Sequence, residues 1–329
     1  MKMCDYISAF SDQLEEAQMI GENSNLRTSS KKLQNIVICG LGGSGIGGNI
    51  LKDIISKESF LPLISVKDYE IPKFIDSNTL VIASSYSGNT EETISALEKC
   101  VKKNAEIAII TSGGKLKEFA EKYNYNHIIV PGNHPPRAMF AYSFVQLFYV
   151  LYNHNIISDC FKENIRTSIS LLNENNNKIK EQAKFIAEKL FNTTPVIYVA
   201  DGFEGVAVRF RQQINENSKM LCWHQVIPEM NHNELLGWRT NTDNLSVIFF
   251  RNKIDHKRNQ IRIDINKSVI AKYTQNIIEV WSEGETQIEN TLYHIHLGDW
   301  VSWYLSEMNK VDAVEIDVIN YLKTELAKI

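Results

Sequence analysis

Gly40-Leu41-Gly42-Gly43-Ser44-Gly45-Ile46-Gly47-Gly48 follows an apolar run at 36–39 and opens a helical pattern at 46–55. About forty residues on, Ser84-Ser85-Tyr86-Ser87-Gly88-Asn89-Thr90-Glu91-Glu92-Thr93 sits in the same setting, between an apolar run at 80–83 and a helix pattern at 91–102. Each loop offers backbone N–H groups and hydroxyls at a helix N-terminus, where the helix dipole favours an anion. Two such loops in consecutive strand–loop–helix units point to one phosphate gripped from two sides.

The pattern extends outward from these loops. Further strands are predicted over 63–66, 106–111 and 127–130, and further helices over 115–122 and 137–152. The first thirty residues have helical spacing, with Ile7, Phe10, Leu14 and Ala17 on one face. After an Asn-, Lys- and Glu-rich stretch at 153–189, whose Asn run at 173–177 reads as a linker or solvated helix, the alternation restarts. Strands are predicted over 195–200, 220–223, 246–250 and 277–280, and helices over 205–218, 228–235, 287–308 and 314–327. Apolar strands alternating with helices imply parallel sheets covered on both faces, an α/β fold. The expected division is 1–152 and 153–329, two α/β units of similar size.

Composition bounds the function. The 329 residues are 43% apolar and 22% charged, as in folded proteins, and the net charge of −4 lacks the basic footprint of a nucleic-acid binder. Five widely spaced cysteines without a C-x-x-C fit a reducing compartment. Residues 1–20 carry four acidic groups and no long apolar core, so no signal peptide is read there, and no window has the apolar length of a membrane span. The expected location is cytoplasmic.

Gly40, Gly42 and Gly45 also satisfy G-x-G-x-x-G, which keeps a dinucleotide site open, with Asp68 as its acidic partner. Lys67 before it and the long spacing count against that reading, and it gives no reason for Ser85, Ser87 and Thr90 to crowd the next crevice. Ordinary helix caps and turns are the plain alternative, and for Thr90 alone the two readings balance. A phosphoryl group, by contrast, has many lone pairs to satisfy, each charge-assisted bond contributing roughly 1.5–3 kcal/mol.

The two loops resemble the sugar isomerase (SIS) domain pattern. Asn133-His134-Pro135-Pro136-Arg137-Ala138, Asn215-Glu216-Asn217-Ser218-Lys219, Asn231-His232-Asn233-Glu234-Leu235-Leu236-Gly237-Trp238 and Lys310-Val311-Asp312 narrow the resemblance to the bifunctional phosphoglucose/phosphomannose isomerases. That resemblance implies two SIS subdomains, each a parallel five-stranded sheet flanked by helices in a flavodoxin-like three-layer sandwich. It implies reversible conversion of glucose 6-phosphate or mannose 6-phosphate to fructose 6-phosphate through a cis-enediol(ate), without metal or cofactor. It also implies a homodimer with its site near the subunit interface.

Residue by residue, the resemblance makes Glu216 the base, His232 the ring-opening acid, Lys310 its assistant and Arg137 the group that stabilises enediolate charge. Gly43, Ser44, Ser85, Ser87 and Thr90 would bind phosphate. Taken alone, Glu216 would read as a helix-surface glutamate, His232 as a cap or core histidine, and Lys310 as a solvated lysine. In relatives the histidine can come from the neighbouring subunit. Ser302-Trp303-Tyr304 departs from the family, where smaller residues, in some members a threonine, bear on the C2 epimers; the Trp303 bulk weighs on mannose 6-phosphate more than on glucose 6-phosphate. A phosphosugar sensor without catalysis is the alternative, since SIS domains also serve in regulators, but a sensor has no need of Glu216 and His232. His294 and His296, the aromatics from Phe140 to Tyr152, and the charged cluster Lys253, His256, Lys257 and Arg258 are read as local polarity, core or dimer packing, and a solvated turn.

Overall fold

The structure, a computed structural model, describes residues 2–241 and 244–328. Strand β1 (Asn35–Cys39) buries its whole apolar run, as a strand covered on both faces must. It is joined by β2 (Leu63–Val66), β3 (Thr79–Ser84), β4 (Glu106–Thr111) and β5 (Asn126–Ile129). All pairings are parallel, in the order β2-β1-β3-β4-β5. This is the doubly wound flavodoxin order, whose topological switch lies between β1 and β3, so ligands are expected beyond the C-terminal ends of those two strands. Both serine–glycine loops emerge there.

The helices of this half are α1 (Met3–Ser8), α2 (Phe10–Glu22), α3 (Gly42–Ile55), α4 (Glu91–Lys102), α5 (Gly114–Tyr123) and α6 (Phe140–Asn153), the last preceded by a 3₁₀ turn at Pro136–Met139. Ile7, Phe10, Leu14 and Ala17 are buried, as their spacing predicts. Helix α2 lies on α6 closely enough that a Cβ on Gly21 would fall 2.1 Å from the Tyr149 ring.

The 153–189 stretch forms α7 (Cys160–Glu174) and α8 (Asn176–Leu190), both of which bury an apolar stripe; the Asn run at 173–177 falls on the exposed to half-buried ends of these two helices, with Asn175 between them, as its solvated-helix reading expects. Then follow β6 (Thr194–Ala200), α9 (Glu204–Ser218), β7 (Trp223–Ile227), β8 (Leu245–Arg251), α10 (Lys257–Ile270), β9 (Ile277–Trp281), α11 (Gln287–Asn309) and α12 (Asp317–Leu326). The second sheet is parallel, ordered β7-β6-β8-β9. It repeats the first four positions of the first sheet and, among the described residues, has no fifth strand, because the chain passes from β9 straight into α11.

Two local readings need correction. The strand predicted at 220–223 starts at Trp223, because Lys219 closes α9 in the left-handed conformation and the Met220 amide turns back to the Ile214 carbonyl, at 3.4 Å. The charged cluster at 253–258 is a helix start: His256 Nδ1 accepts the Arg258 N–H at 3.2 Å. Helix α10 escaped notice because it buries only Ile263, Asn266 and Ile270.

Helices α3, α6, α9 and α11 contribute to one apolar core shared by both sheets, which includes Ile38, Ile46, Phe144, Val206, Phe250 and Leu297. Helices α4 and α5 cover the outer face of the first sheet, and α10 that of the second. Among the described residues no helix is long and apolar enough to cross a membrane, and every cysteine is free.

Candidate functional site

The strand ends at the switch point touch. A Cβ on Gly40 would lie 2.7 Å from the Ser84 carbonyl oxygen, and one on Gly45 would lie 2.2 Å from the Gly40 oxygen, so only glycine fits either position. Ser44 Oγ accepts the Tyr86 N–H at 2.9 Å and ties the first loop to the second. Its own O–H remains available as a donor. Ser85 Oγ and Thr90 Oγ1 are bonded at 2.7 Å, which leaves that pair one free hydroxyl proton. Ser87 is exposed, and its Oγ accepts the Asn89 N–H at 3.3 Å. Ser112 fixes the second loop from below, its N–H and Oγ–H reaching the Tyr86 carbonyl at 3.0 and 2.6 Å. The structure thus brings Ser44, Ser85, Ser87 and Thr90 into two linked loops at adjacent helix N-termini.

Gly43 joins these loops to the arginine. A Cβ there would stand 3.2 Å from Arg137 Cα and 3.3 Å from the Pro136 oxygen. Arg137 is 4% exposed. Its Nε donates to Asn217 Oδ1 at 2.7 Å, and Nη2 donates to the carbonyls of Ala313 and Val314. Nη1 stands 3.5 Å from Glu216 Oε2. Burial lowers the guanidinium from its ordinary value, while the charges of Glu216, Asp312 and Glu315 act to raise it. The Glu216 side chain keeps 28% of its surface exposed, so the ion pair has one buried and one accessible member.

Sequence reasoning missed the network behind this pair. Arg209 donates to Asp299 at 2.7 Å and to the Arg137 carbonyl at 3.3 Å, with its guanidinium 4.3 Å above the Phe140 ring. Gln213 donates to the other Asp299 oxygen at 2.9 Å, and Asn217 Nδ2 donates to Ser302 Oγ at 2.9 Å. Lys219 Nζ holds the carbonyls of Glu216, Asp312 and Glu315 at 2.6–2.9 Å. A signal existed: Arg209, Gln213 and Asn217 recur every fourth residue of α9, and Asp299 and Ser302 are three apart on α11, so each set shares one helix face.

Other predicted residues stay apart. His232 is exposed in a 3₁₀ turn at Glu229–His232, and Lys310 is exposed at the C-cap of α11 with φ 56°. Neither side chain is hydrogen-bonded or ion-paired to Arg137 or Glu216 among the described residues. At the departure on α11 it is Ser302 that meets Asn217, whereas Trp303 packs on Trp300 and Tyr304 at ring separations of 5.5 and 4.9 Å. His294 and His296 both lie in the interior of α11, stacked on Phe250 at 4.7 Å and on Phe10 at 5.4 Å. Burial pushes both down to about 3.

Two parallel doubly wound sheets, with paired serine–glycine loops at the first switch point, are the architecture of SIS-domain proteins. Residues 30–152 match the SIS domain family, and residues 179–326 match the bacterial phospho-glucose isomerase C-terminal SIS domain. The C-terminal domain of glucosamine-fructose-6-phosphate aminotransferase from Francisella tularensis shares the fold, with TM-score 0.76 at 14% identity, covering 95% of this chain and 98% of that one. The bifunctional phosphoglucose/phosphomannose isomerase of Caldicellulosiruptor bescii is 38% identical over 97% of both chains. The enzyme of the same name from Aquifex aeolicus is 35% identical over 90% of this chain and 91% of its own. The chain belongs to the bifunctional phosphoglucose/phosphomannose isomerase family.

Proposed function

We propose that this chain interconverts glucose 6-phosphate or mannose 6-phosphate with fructose 6-phosphate by proton transfer within the open-chain sugar. The observation that carries the reading is the Arg137–Glu216 pair, a buried guanidinium 3.5 Å from a part-exposed carboxylate, docked on Gly43 of the phosphate loop.

Gly43, Ser44, Ser85, Ser87 and Thr90 hold the phosphate at the N-termini of α3 and α4. Glu216 removes the proton from C1 of fructose 6-phosphate and the electron pair moves to the C2 carbonyl oxygen; a proton passes from O1 to O2 of the resulting cis-enediol(ate), which is reprotonated at C2 as the C1 carbonyl forms. Arg137 balances the negative charge that develops on the sugar oxygens, an interaction stronger in the transition state than in the ground state. His232 protonates the ring oxygen for opening, a task suited to an imidazole, which can both donate and accept a proton, and Lys310 assists. The exposed ring of His232, without a hydrogen-bond partner among the described residues, supports its delivery to the site of a neighbouring subunit in a homodimer. No metal or cofactor enters these steps. The setting is cytoplasmic, and the halves divide at 152/153.

Turnover of fructose 6-phosphate in EDTA, with both aldose products quantified, tests the reading. Both products are expected. Glucose 6-phosphate alone narrows the specificity, and binding without either product would favour a sensor. Glu216→Gln should lower kcat by about 10²–10⁴-fold with phosphosugar binding nearly intact; near-normal turnover in that variant removes Glu216 from the mechanism.

A further inference from the structure

Three helices each bring one end to the site. Helix α3 brings Gly43 and Ser44 at its N-terminus, α9 brings Glu216 and Asn217 at its C-terminus, and α11 brings Asp299 and Ser302 in its C-terminal half. Their opposite ends are tied together. Asp53, near the end of α3, accepts the Gly205 N–H of the first turn of α9 at 2.8 Å. Gln287, the first residue of α11, donates from one amide nitrogen to the Asp53 carbonyl at 3.0 Å and to the Gly202 carbonyl at 2.9 Å. Beside this knot α3 and α9 touch backbone to backbone, since a Cβ on Gly205 would lie 2.8 Å from the Ile50 nitrogen. At 1.5 Å per residue, the nine steps from Asp53 to Ser44 and the eleven from Gly205 to Glu216 span roughly 14 and 17 Å.

The phosphate loop and the base therefore sit on separate helices whose relative placement is fixed at both ends. At the substrate end, the Gly43–Arg137–Glu216 contacts set it. At the far end, the knot does. A carboxylate suits that far position, because it meets a free N–H at the positive end of the α9 dipole.

We propose that the Asp53 carboxylate is a positioning group for the isomerisation, pinning α9 to α3 beside the backbone carbonyl that holds Gln287 of α11, so that Glu216 keeps its distance from the phosphate loop. This rests on the catalytic reading above. Displacing a base by 1 Å can cost about a hundredfold in rate, so a partial loosening is read as about tenfold. Substrate binding, which depends on the loops themselves, changes little.

The test compares Asp53→Ala, Asp53→Asn and Gln287→Ala in the full-length protein, by steady-state turnover of fructose 6-phosphate and by hydrogen exchange over 42–45 and 214–218. Asp53→Ala should lower kcat about tenfold, leave KM within about threefold, and speed exchange at both segments. Asp53→Asn keeps an oxygen for the Gly205 N–H and should restore both readouts. Gln287→Ala, the milder change, should move both in the same direction and decides the matter if Asp53→Ala does not fold. A lower Tm in Asp53→Ala with unchanged kcat and unchanged exchange at the site would overturn the proposal, as would an Asp53→Asn variant as impaired as Asp53→Ala. If the unaltered protein shows no turnover, the catalytic reading falls, while exchange at 42–45 and 214–218 still decides whether Asp53 places the two segments.

Discussion

Removing the Asp299 carboxylate strands a buried charge directly behind the proposed catalytic arginine. Arg209 is 3% exposed and Asp299 10%, and the two are joined at 2.7 Å. Burial pushes the Asp299 carboxyl up from its ordinary value, while Arg209 and Gln213 pull it down. In Asp299→Ala the guanidinium keeps, among the described residues, the Phe140 ring and the longer 3.3 Å bond to the Arg137 carbonyl. Breaking a buried pair from one side costs about 3–5 kcal/mol, because the remaining charge is left uncompensated. Against a typical total of about 5–15 kcal/mol, that is a large fraction of the stability. Urea titration at neutral pH reads it. The double substitution Arg209→Met with Asp299→Leu removes both charges and should recover at least half the loss, since paired burial of charge is close to neutral against apolar packing. A single-variant loss under about 1 kcal/mol, or a double variant no better than the single, would refute the account of Arg209 as a desolvated charge held by Asp299.

Ser87→Ala should raise KM for fructose 6-phosphate by about 10–100-fold, the loss of one charge-assisted bond to phosphate, with kcat little changed; an unchanged KM removes Ser87 from the clamp. Arg137→Lys should lower kcat by about 10²–10³-fold, because an ammonium cannot reproduce a fork that reaches Asn217, Ala313 and Val314 together, and full activity in that variant would show that charge alone suffices. His296 is held neutral with its value pushed down to about 3, by burial first and then by Lys180, so below the ordinary histidine value the unfolded chain takes up a proton that the folded chain refuses. Stability from this group is therefore complete above about pH 6.5 and lost as pH falls, and His296→Phe should gain about 2 kcal/mol on the unaltered protein between about pH 7.5 and pH 5. Parallel pH dependence of the two in urea titrations would sink that assignment.

What the sequence made legible was local. Helix α4 and strand β4 fall within the predicted bounds because each has a single unambiguous period and a flanking turn. The two serine–glycine loops were legible for the same reason: glycine, serine and threonine lie within a few positions of one another. Helix α10 was lost because three buried positions in fourteen residues give no stripe. At the Asn run at 173–177 composition left a linker and a solvated helix open, and the structure has solvated helix ends there, with Asn175 between α7 and α8. The proposed catalytic set was beyond local reading. Arg137 meets Asn217 across 80 positions and Arg209 meets Asp299 across 90; spacing shows that Arg209, Gln213 and Asn217 share a helix face but not which distant residues that face meets. Only the family resemblance named Arg137 and Glu216 in advance, and it was silent on Arg209, Gln213 and Asp299.

Arg137 enters from the first half of the chain and Glu216, the proposed base, from the second. Glu216 stands near the C-terminus of α9, where the dipole places partial negative charge and a carboxylate is disfavoured by about 0.3–1 kcal/mol. An arginine held at 3.5 Å offsets that field, yet it is fixed mainly by neutral partners, the Asn217 amide oxygen and the Ala313 and Val314 carbonyls. In the proposed mechanism it can therefore turn its attraction from the carboxylate to a developing enediolate without losing its place, and the proton falls to Glu216, the more exposed member of the pair.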